Sequence, residues 1–208
     1  MKNAAFSLIL FLAFSAFASD ASYPTNGLLQ ARRLQNMLTG ENQVVSSAQQ
    51  KAEWIIGQDN PDQIVEITTP MHYDGDITIV NNGKLVVRQT SFTLNGDLTI
   101  LGTGQALFDD ANLFIVQNYS YEHQAILAQR GLLSLDHVEF QSGGHSWSVG
   151  LVGESSYNLS HCKISEGFIT TAAFESVDIS VDHTETAGEF LCFGDNDASF
   201  SNSDLVLF

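Results

Sequence analysis

Proline disappears from this chain after residue 70. Pro24, Pro61 and Pro70 are the only three, and nothing beyond Pro70 repeats them. Proline cannot donate to a ladder, so strands bonded on both sides exclude it. Long stretches of such strands are therefore expected downstream. Cysteine is almost as scarce, with Cys162 and Cys192 alone. Basic side chains are few: 8 Lys and Arg stand against 24 Asp and Glu, a formal charge of −16. A field of that sign repels phosphates and excludes nucleic acid as a partner. It also works against polyanionic glycans unless Ca²⁺ bridges the two. No apolar run after the N-terminal leader is long enough to span a membrane.

The leader itself reads as a signal peptide over residues 1–18. Lys2 supplies the positive end, Ala4 to Phe14 the short apolar stretch, and Ala16-Phe17-Ala18 the small-x-small cleavage site. Its removal takes away one base and no acid, leaving 24 acids against 7 bases, a charge of −17. The mature chain is expected to be secreted, periplasmic or held at the cell surface. Residues 19–62 read as an amphipathic helical segment. Leu28, Ala31, Leu34, Met37 and Leu38 recur at helical spacing, as do Val44, Val45, Ala48, Ala52, Ile55 and Ile56 after Gly40. Val65 and Ile67 then begin an extended stretch.

From residue 63 to residue 208 the pattern is a repeat. Apolar pairs eight residues apart recur every 20 to 27 residues: Ile77 with Leu85, Leu98 with Ala106, Ala125 with Leu133, Val149 with Tyr157, Ile169 with Val177, Phe190 with Ala198. The same offset holds two residues later in each unit. A third strand adds a small column (Thr90, Ala111, Val138, Cys162, Asp182, Ser203) and a bulky one (Phe92, Leu113, Phe140, Ile164, Thr184, Leu205). Units of this length bury their apolar faces only against their neighbours, which makes a stack of coils. In this register the two cysteines lie two coils apart, roughly 10 Å, beyond disulfide reach. Both read as small buried hydrophobes.

The segments GKLVVRQTSFTL, GQALFDDANLFI, GLLSLDHVEFQS and SYNLSHCKISEG resemble the right-handed parallel β-helix, the pectin-lyase-like superfamily. The resemblance implies an all-β fold of about six coils preceded by the helical segment. It also implies that catalytic and Ca²⁺-binding residues, where present, lie on the outward face of the first strand and nearby. Here those outward columns are apolar or small. The Gly-His-Gly and Arg-Ile-Lys motifs of polygalacturonase-like hydrolases are missing, and Phe108-Asp109-Asp110 lacks the usual glycine before its acids. The family's catalytic residues do not carry over.

Three other groups could carry chemistry. Asp76 and Asp97 open successive first strands; two adjacent carboxylates share a proton or recruit a cation such as Ca²⁺, unless both are turn residues. Asp110, His137 and His161 share one column at the bend after the second strand, with Asp109, Asp136, Glu139 and Lys163 close by. A carboxylate beside two imidazoles suits Zn²⁺ or general acid–base work, while a solvated polar face is the plain alternative. The third group is on loops 117–123 and 142–147, where Tyr119, Tyr121, His123, His145 and Trp147 offer rings and polar partners to sugar faces, or else cover the core edge.

The expected function is an exported β-helix module that binds a glycan or another surface through these loops, as part of a larger envelope or adhesin-like protein. The alternative is a polysaccharide lyase or glycoside hydrolase. The last residues stop inside a coil, so either a continuation of the chain or a partner is expected to cover that end. A protein partner, or the N-terminal segment itself, is expected to cover the apolar stripe.

Overall fold

The computed structural model describes residues 52–118, 124–164 and 169–207. Every regular element among them is a strand, and the strands pair in parallel into two sheets that wrap one core. Seven coils stack. Coil one holds β1 (Ala52–Ile56), β2 (Ile64–Ile67) and β3 (Met71–Tyr73). Coil two holds β4 (Gly75–Ile79), β5 (Lys84–Arg88) and β6 (Ser91–Leu94). Coil three holds β7 (Leu98–Leu101), β8 (Gln105–Asp109) and β9 (Asn112–Ile115). Coil four holds β10 (Ala125–Gln129), β11 (Leu132–Asp136) and β12 (Glu139–Gln141). Coil five holds β13 (Trp147–Val152), β14 (Ser156–Ser160) and β15 (Lys163–Ile164). Coil six holds β16 (Ile169–Phe174), β17 (Asp178–Asp182) and the first half of β18 (Glu185–Phe193). The second half of β18 opens coil seven, followed by β19 (Asp197–Ser201) and β20 (Asp204–Leu207). The fold is an all-β parallel solenoid.

Inward residues form continuous columns because strands in register repeat their side-chain alternation from coil to coil. One column runs Trp54, Ile77, Leu98, Ile126, Val149, Thr171, Phe190, and its neighbour Ile56, Ile79, Ile100, Ala128, Leu151, Ala173, Cys192. The second strands stack Val65, Leu85, Ala106, Leu133, Tyr157, Ile179, Ala198 in the same way. From Ile77 through Val149 the first column is at most 1% exposed.

Four sequence expectations need correction. Ala52–Ile56 is a strand, not part of a helix: it pairs with β4 residue for residue and adds a coil before the six expected. The inward pair of coil four is Ile126 with Leu133, seven apart rather than eight, because the Gln129-Arg130-Gly131 turn is one residue shorter than its counterpart in coil three. Ala125 and Leu127 consequently face outward. In coil six the expected alignment slips by two: Thr171, not Ile169, continues the Val149 column, and Thr184, not Asp182, follows Cys162. A slip of two preserves which face each residue takes, so the core survives the error while the columns shift.

The fourth correction concerns the cysteines. Cys162 and Cys192 are both free, but Cys192 is exposed at coil seven. Burial pushes the Cys162 thiol above its ordinary value, and partial burial pushes up that of the more exposed Cys192 as well. A thiol reagent added to the native protein is expected to modify Cys192 slowly and to reach Cys162 only after unfolding. Counting thiols with a chromogenic disulfide, before and after denaturant, checks this; two fast thiols in the native state would contradict the burial of Cys162.

Candidate functional site

The bend after the second strand of coils two to seven holds one residue in left-handed conformation. Gln89, Asp110, His137, His161, His183 and Asn202 hold it in successive coils, with φ between 47° and 52°. Asp and Asn tolerate this region better than most residues, and His is enriched there too. All but Asn202, in the last described coil, donate the backbone N–H to the carbonyl of the residue before the bend in the next coil, as His137 does to Ser160 and His161 to Asp182. The bend thus stacks its side chains at ladder spacing.

Three imidazoles result, one above the other. The rings of His137 and His161 are 4.5 Å apart and 4° from parallel; those of His161 and His183 are 4.8 Å apart and 7° from parallel. The preceding column supplies carboxylates and hydroxyls. His137 Nδ1 lies 3.0 Å from Asp136 Oδ1, and His161 Nδ1 lies 3.8 Å from the same oxygen. Ser160 Oγ is 2.9 Å from His161 Nδ1. Asp136, His137 and His161 form a cluster whose donor atoms all lie within 4.8 Å of one another. Asp110 stands in the bend column below His137, but the carboxylate in this cluster is Asp136's.

His183 joins this column only through the two-residue slip in coil six, so the expected register does not align it with His137 and His161. The signal that finds it is the recurrence of Leu135-Asp136-His137, Leu159-Ser160-His161 and Val181-Asp182-His183, an apolar residue, a short polar one and a histidine at each bend.

Asp182 behaves differently from Asp136. Its Oδ1 accepts from Ser201 Oγ at 2.6 Å and from Asn202 Nδ2 at 3.2 Å, and its Oδ2 is 2.8 Å from His183 Nδ1. The hydrogen bonds from Ser201, His183 and Asn202 hold its carboxyl well below the usual carboxylate range. A depressed folded value means stabilisation that is fully present above the unfolded carboxyl value of about 4 and is lost as pH falls through the folded value. The stability gap between the wild type and Asp182→Asn is expected to be constant above about pH 5 and to narrow steadily below about pH 4. Urea unfolding across that range checks it; a gap independent of pH would remove the charge from the explanation.

The other expected residues fall into place as follows. Asp76 Oδ1 accepts the backbone N–H of Asp97 at 2.9 Å, and Asp97 Oδ1 accepts that of Ala125 at 2.8 Å. The two acids are links in a relay that ties coils two, three and four together at the strand entry. Trp147 is 2% exposed and stacks on Phe140 with ring centroids 3.7 Å apart, so its face is not available to a ligand. Tyr119, Tyr121 and His123 lie outside the described residues.

The edge that carries loops 117–123 and 142–147 is nonetheless distinctive. Ser142 and His145 close a turn by exchanging hydrogen bonds, Ser142 Oγ to His145 O at 2.6 Å and His145 N to Ser142 O at 3.3 Å. That turn lies over Gln117 and Phe114, as the surroundings of Gly143 show. Gln117 Nε2 donates to Gln124 O at 2.8 Å. Among the described residues, Gln117 Oε1, Gln124 Oε1 and Trp147 Nε1 are buried and unpartnered, three of only five such atoms. Buried polar atoms are normally paired, so three at one edge set it apart from the rest of the described solenoid. Sequence reasoning missed Phe114 and Gln124, and reached Gln117 only as the first residue of loop 117–123, because nothing but the third dimension brings them to the 142–145 turn.

The outward face of the first-strand sheet runs Ile55, Thr78, Thr99, Leu127, Gly150, Ala172, Leu191. Beside it Ala125, Leu127, Ala172 and Phe174 form a second apolar cluster with Val152, Leu191 and Phe193. The Phe174 and Phe193 rings stack at 5.1 Å. Ala172 is 0% and Phe174 4% exposed although both face away from the core. The expected helical segment before residue 52, and the expected signal peptide, lie outside the described residues. No family model matches this chain, and no match was found among curated proteins or solved structures.

Proposed function

We propose that this chain is an exported, non-catalytic solenoid module of the right-handed, pectin-lyase-like type, and that it binds a glycan or another surface through the edge formed by loops 117–123 and 142–147. The observation that carries the reading is the set of buried polar atoms on Gln117, Gln124 and Trp147 at that edge that have no partner among the described residues. Half-buried Phe114 and His145 and exposed Gly143 and Gly144 adjoin them. A sugar offers hydroxyls that donate to amide oxygens and accept from an indole N–H, and C–H faces that suit a phenyl ring. The outward face of the long sheet supports a binding rather than a cleaving role. A polysaccharide-cleaving solenoid needs paired ionisable groups there, and the middle of this face carries Leu127, Gly150, Ala172 and Leu191.

The test is a glycan array probed with the full chain, paired with reducing-sugar and ultraviolet unsaturation assays on every glycan bound. Binding without products, weakened by Phe114→Ala or His145→Ala, is the expected result. Cleavage products would install a lyase or hydrolase in its place, and an empty array would remove the glycan.

A further inference from the structure

The histidine bend has a chemistry that glycan binding does not use. We propose that Asp136, His137 and His161 form a site for one divalent d-block cation, of the Zn²⁺, Co²⁺ or Cu²⁺ class, that clamps coil four to coil five. Two imidazole nitrogens and one carboxylate oxygen are the donor set such borderline ions prefer, and a poor one for Ca²⁺, which takes oxygen almost exclusively.

The donor distances suit one ion, and coordination requires the two stacked rings to turn out of parallel so that both Nδ1 lone pairs meet it. His137 Nδ1 and His161 Nδ1 both face Asp136 Oδ1, at 3.0 and 3.8 Å. Metal–ligand bonds of about 2.0–2.2 Å place neighbouring donors roughly 3–3.5 Å apart. The donors already lie within 4.8 Å of one another, so the sites close by about an ångström. All three side chains are roughly half exposed, which leaves their rotamers free to make that adjustment. In the metal-free protein the Nδ1–Asp136 contact fills the space. On binding, the cation takes the Nδ1 lone pair of each neutral imidazole, whose single proton is then on Nε2; a second ring proton, where present, is released to solvent. Three protein ligands leave the other positions open to water or to an anionic group.

The conformation of the bend does not by itself demand histidine. Asp110 and Asn202 hold the same left-handed position in coils three and seven. Nor is the third histidine an equivalent ligand. Asp182, the carboxylate next to His183, is saturated by Ser201, Asn202 and His183. Among the described residues, Asp136 meets the two imidazoles and no comparable donor. The clamp is therefore confined to coils four and five.

The experiment is a titration of the full, tag-free chain with ZnCl₂, followed by calorimetry and by histidine side-chain NMR, with Co²⁺ absorption reporting coordination. One equivalent is expected to bind, shifting His137 and His161 resonances. His137→Asn, His161→Asn and Asp136→Asn are each expected to weaken binding by about tenfold or more. His183→Asn is expected to leave the affinity within about twofold, since His183 stacks on the His161 ring but supplies no ligand atom. Asparagine keeps the left-handed bend, and native-state protection of Cys162 confirms that each variant is folded. No saturable binding, binding that survives all three ligand changes, or an equal loss in His183→Asn would each overturn the proposal.

Discussion

Trp147→Ala is expected to lower stability by about 3–5 kcal/mol, the range for deleting a large aromatic side chain from a packed interior. Its ring is 2% exposed and lies 3.7 Å from that of Phe140. The pair fills the inner corner where the third-strand face of coil four meets the first-strand face of coil five. Alanine leaves a cavity there, and neither Phe140 nor Ile169, which is Trp147's register partner in coil six, can fill it without leaving its own column. One term works the other way: Trp147 Nε1 has no partner among the described residues, and an unmet buried donor costs about 1–3 kcal/mol. Trp147→Phe separates the two terms, because it keeps an aromatic stack and removes the orphan N–H. It is expected to cost less than half as much as alanine. Because each coil touches only its neighbours, hydrogen exchange should accelerate mainly in coils four to six. Denaturant unfolding and exchange mass spectrometry read both. If phenylalanine proves as damaging as alanine, the indole N–H has a partner and the edge is not the unsatisfied site described above.

The sequence made the core legible because inward residues repeat at two-residue parity. Ile77, Leu85, Leu98, Ala106, Leu133, Val149 and Tyr157 are all buried where the ladder placed them. The errors arose where parity or length changed. A turn shortened by one residue inverted β10, moving Ala125 and Leu127 outward. Helical spacing at Ala52, Ile55 and Ile56 concealed β1, since apolar residues three apart fit a helix as well as they fit a strand with one inward and one outward member. The two-residue slip in coil six spared the core but separated His183 from His137 and His161. Column membership is thus more fragile than burial: a shift of two leaves every side chain facing the same way and still changes which groups become neighbours. Asp110 does share the bend column with His137 and His161, but the carboxylate that meets the two imidazoles is Asp136, one residue before the bend.

Charge and conformation meet at the same bend. Left-handed geometry restricts it to a few residue types, and ladder spacing brings equal types into contact. A column selected for backbone reasons therefore concentrates chemistry without any motif that a linear pattern would display. The aromatic edge differs, because its Gln117, Gln124 and Trp147 come from separate coils and its turn rests on a glycine pair. No periodicity links them.

The second large effect is expected at Gly96. A β-carbon there would run into the backbone carbonyl of Gly75, and it would also lie 2.8 Å from Asp76 Oδ1. Neither obstacle can move cheaply. The N–H of Gly75 donates to Asn95 O at 3.2 Å, Asn95 N donates back to Tyr73 O at 2.9 Å, and Ile77 N donates to Asp97 O at 2.9 Å. Asp76 Oδ1 is engaged by Asp97 N. Relieving the overlap means parting coils two and three at their strand entry, which breaks the Asp76–Asp97–Ala125 relay. Gly96→Ala is expected to cost about 3 kcal/mol, the upper part of the range for overpacking. Gly102→Ala is the control. Gly102 has φ of 66° with nothing within 4 Å of a β-carbon, so its substitution meets only the left-handed penalty, about 1 kcal/mol. Equilibrium unfolding of the two variants side by side separates steric from conformational cost. If Gly96→Ala is no worse than Gly102→Ala, the coils do not approach at Gly75 and Gly96 as closely as described, and the relay that depends on that approach fails with it.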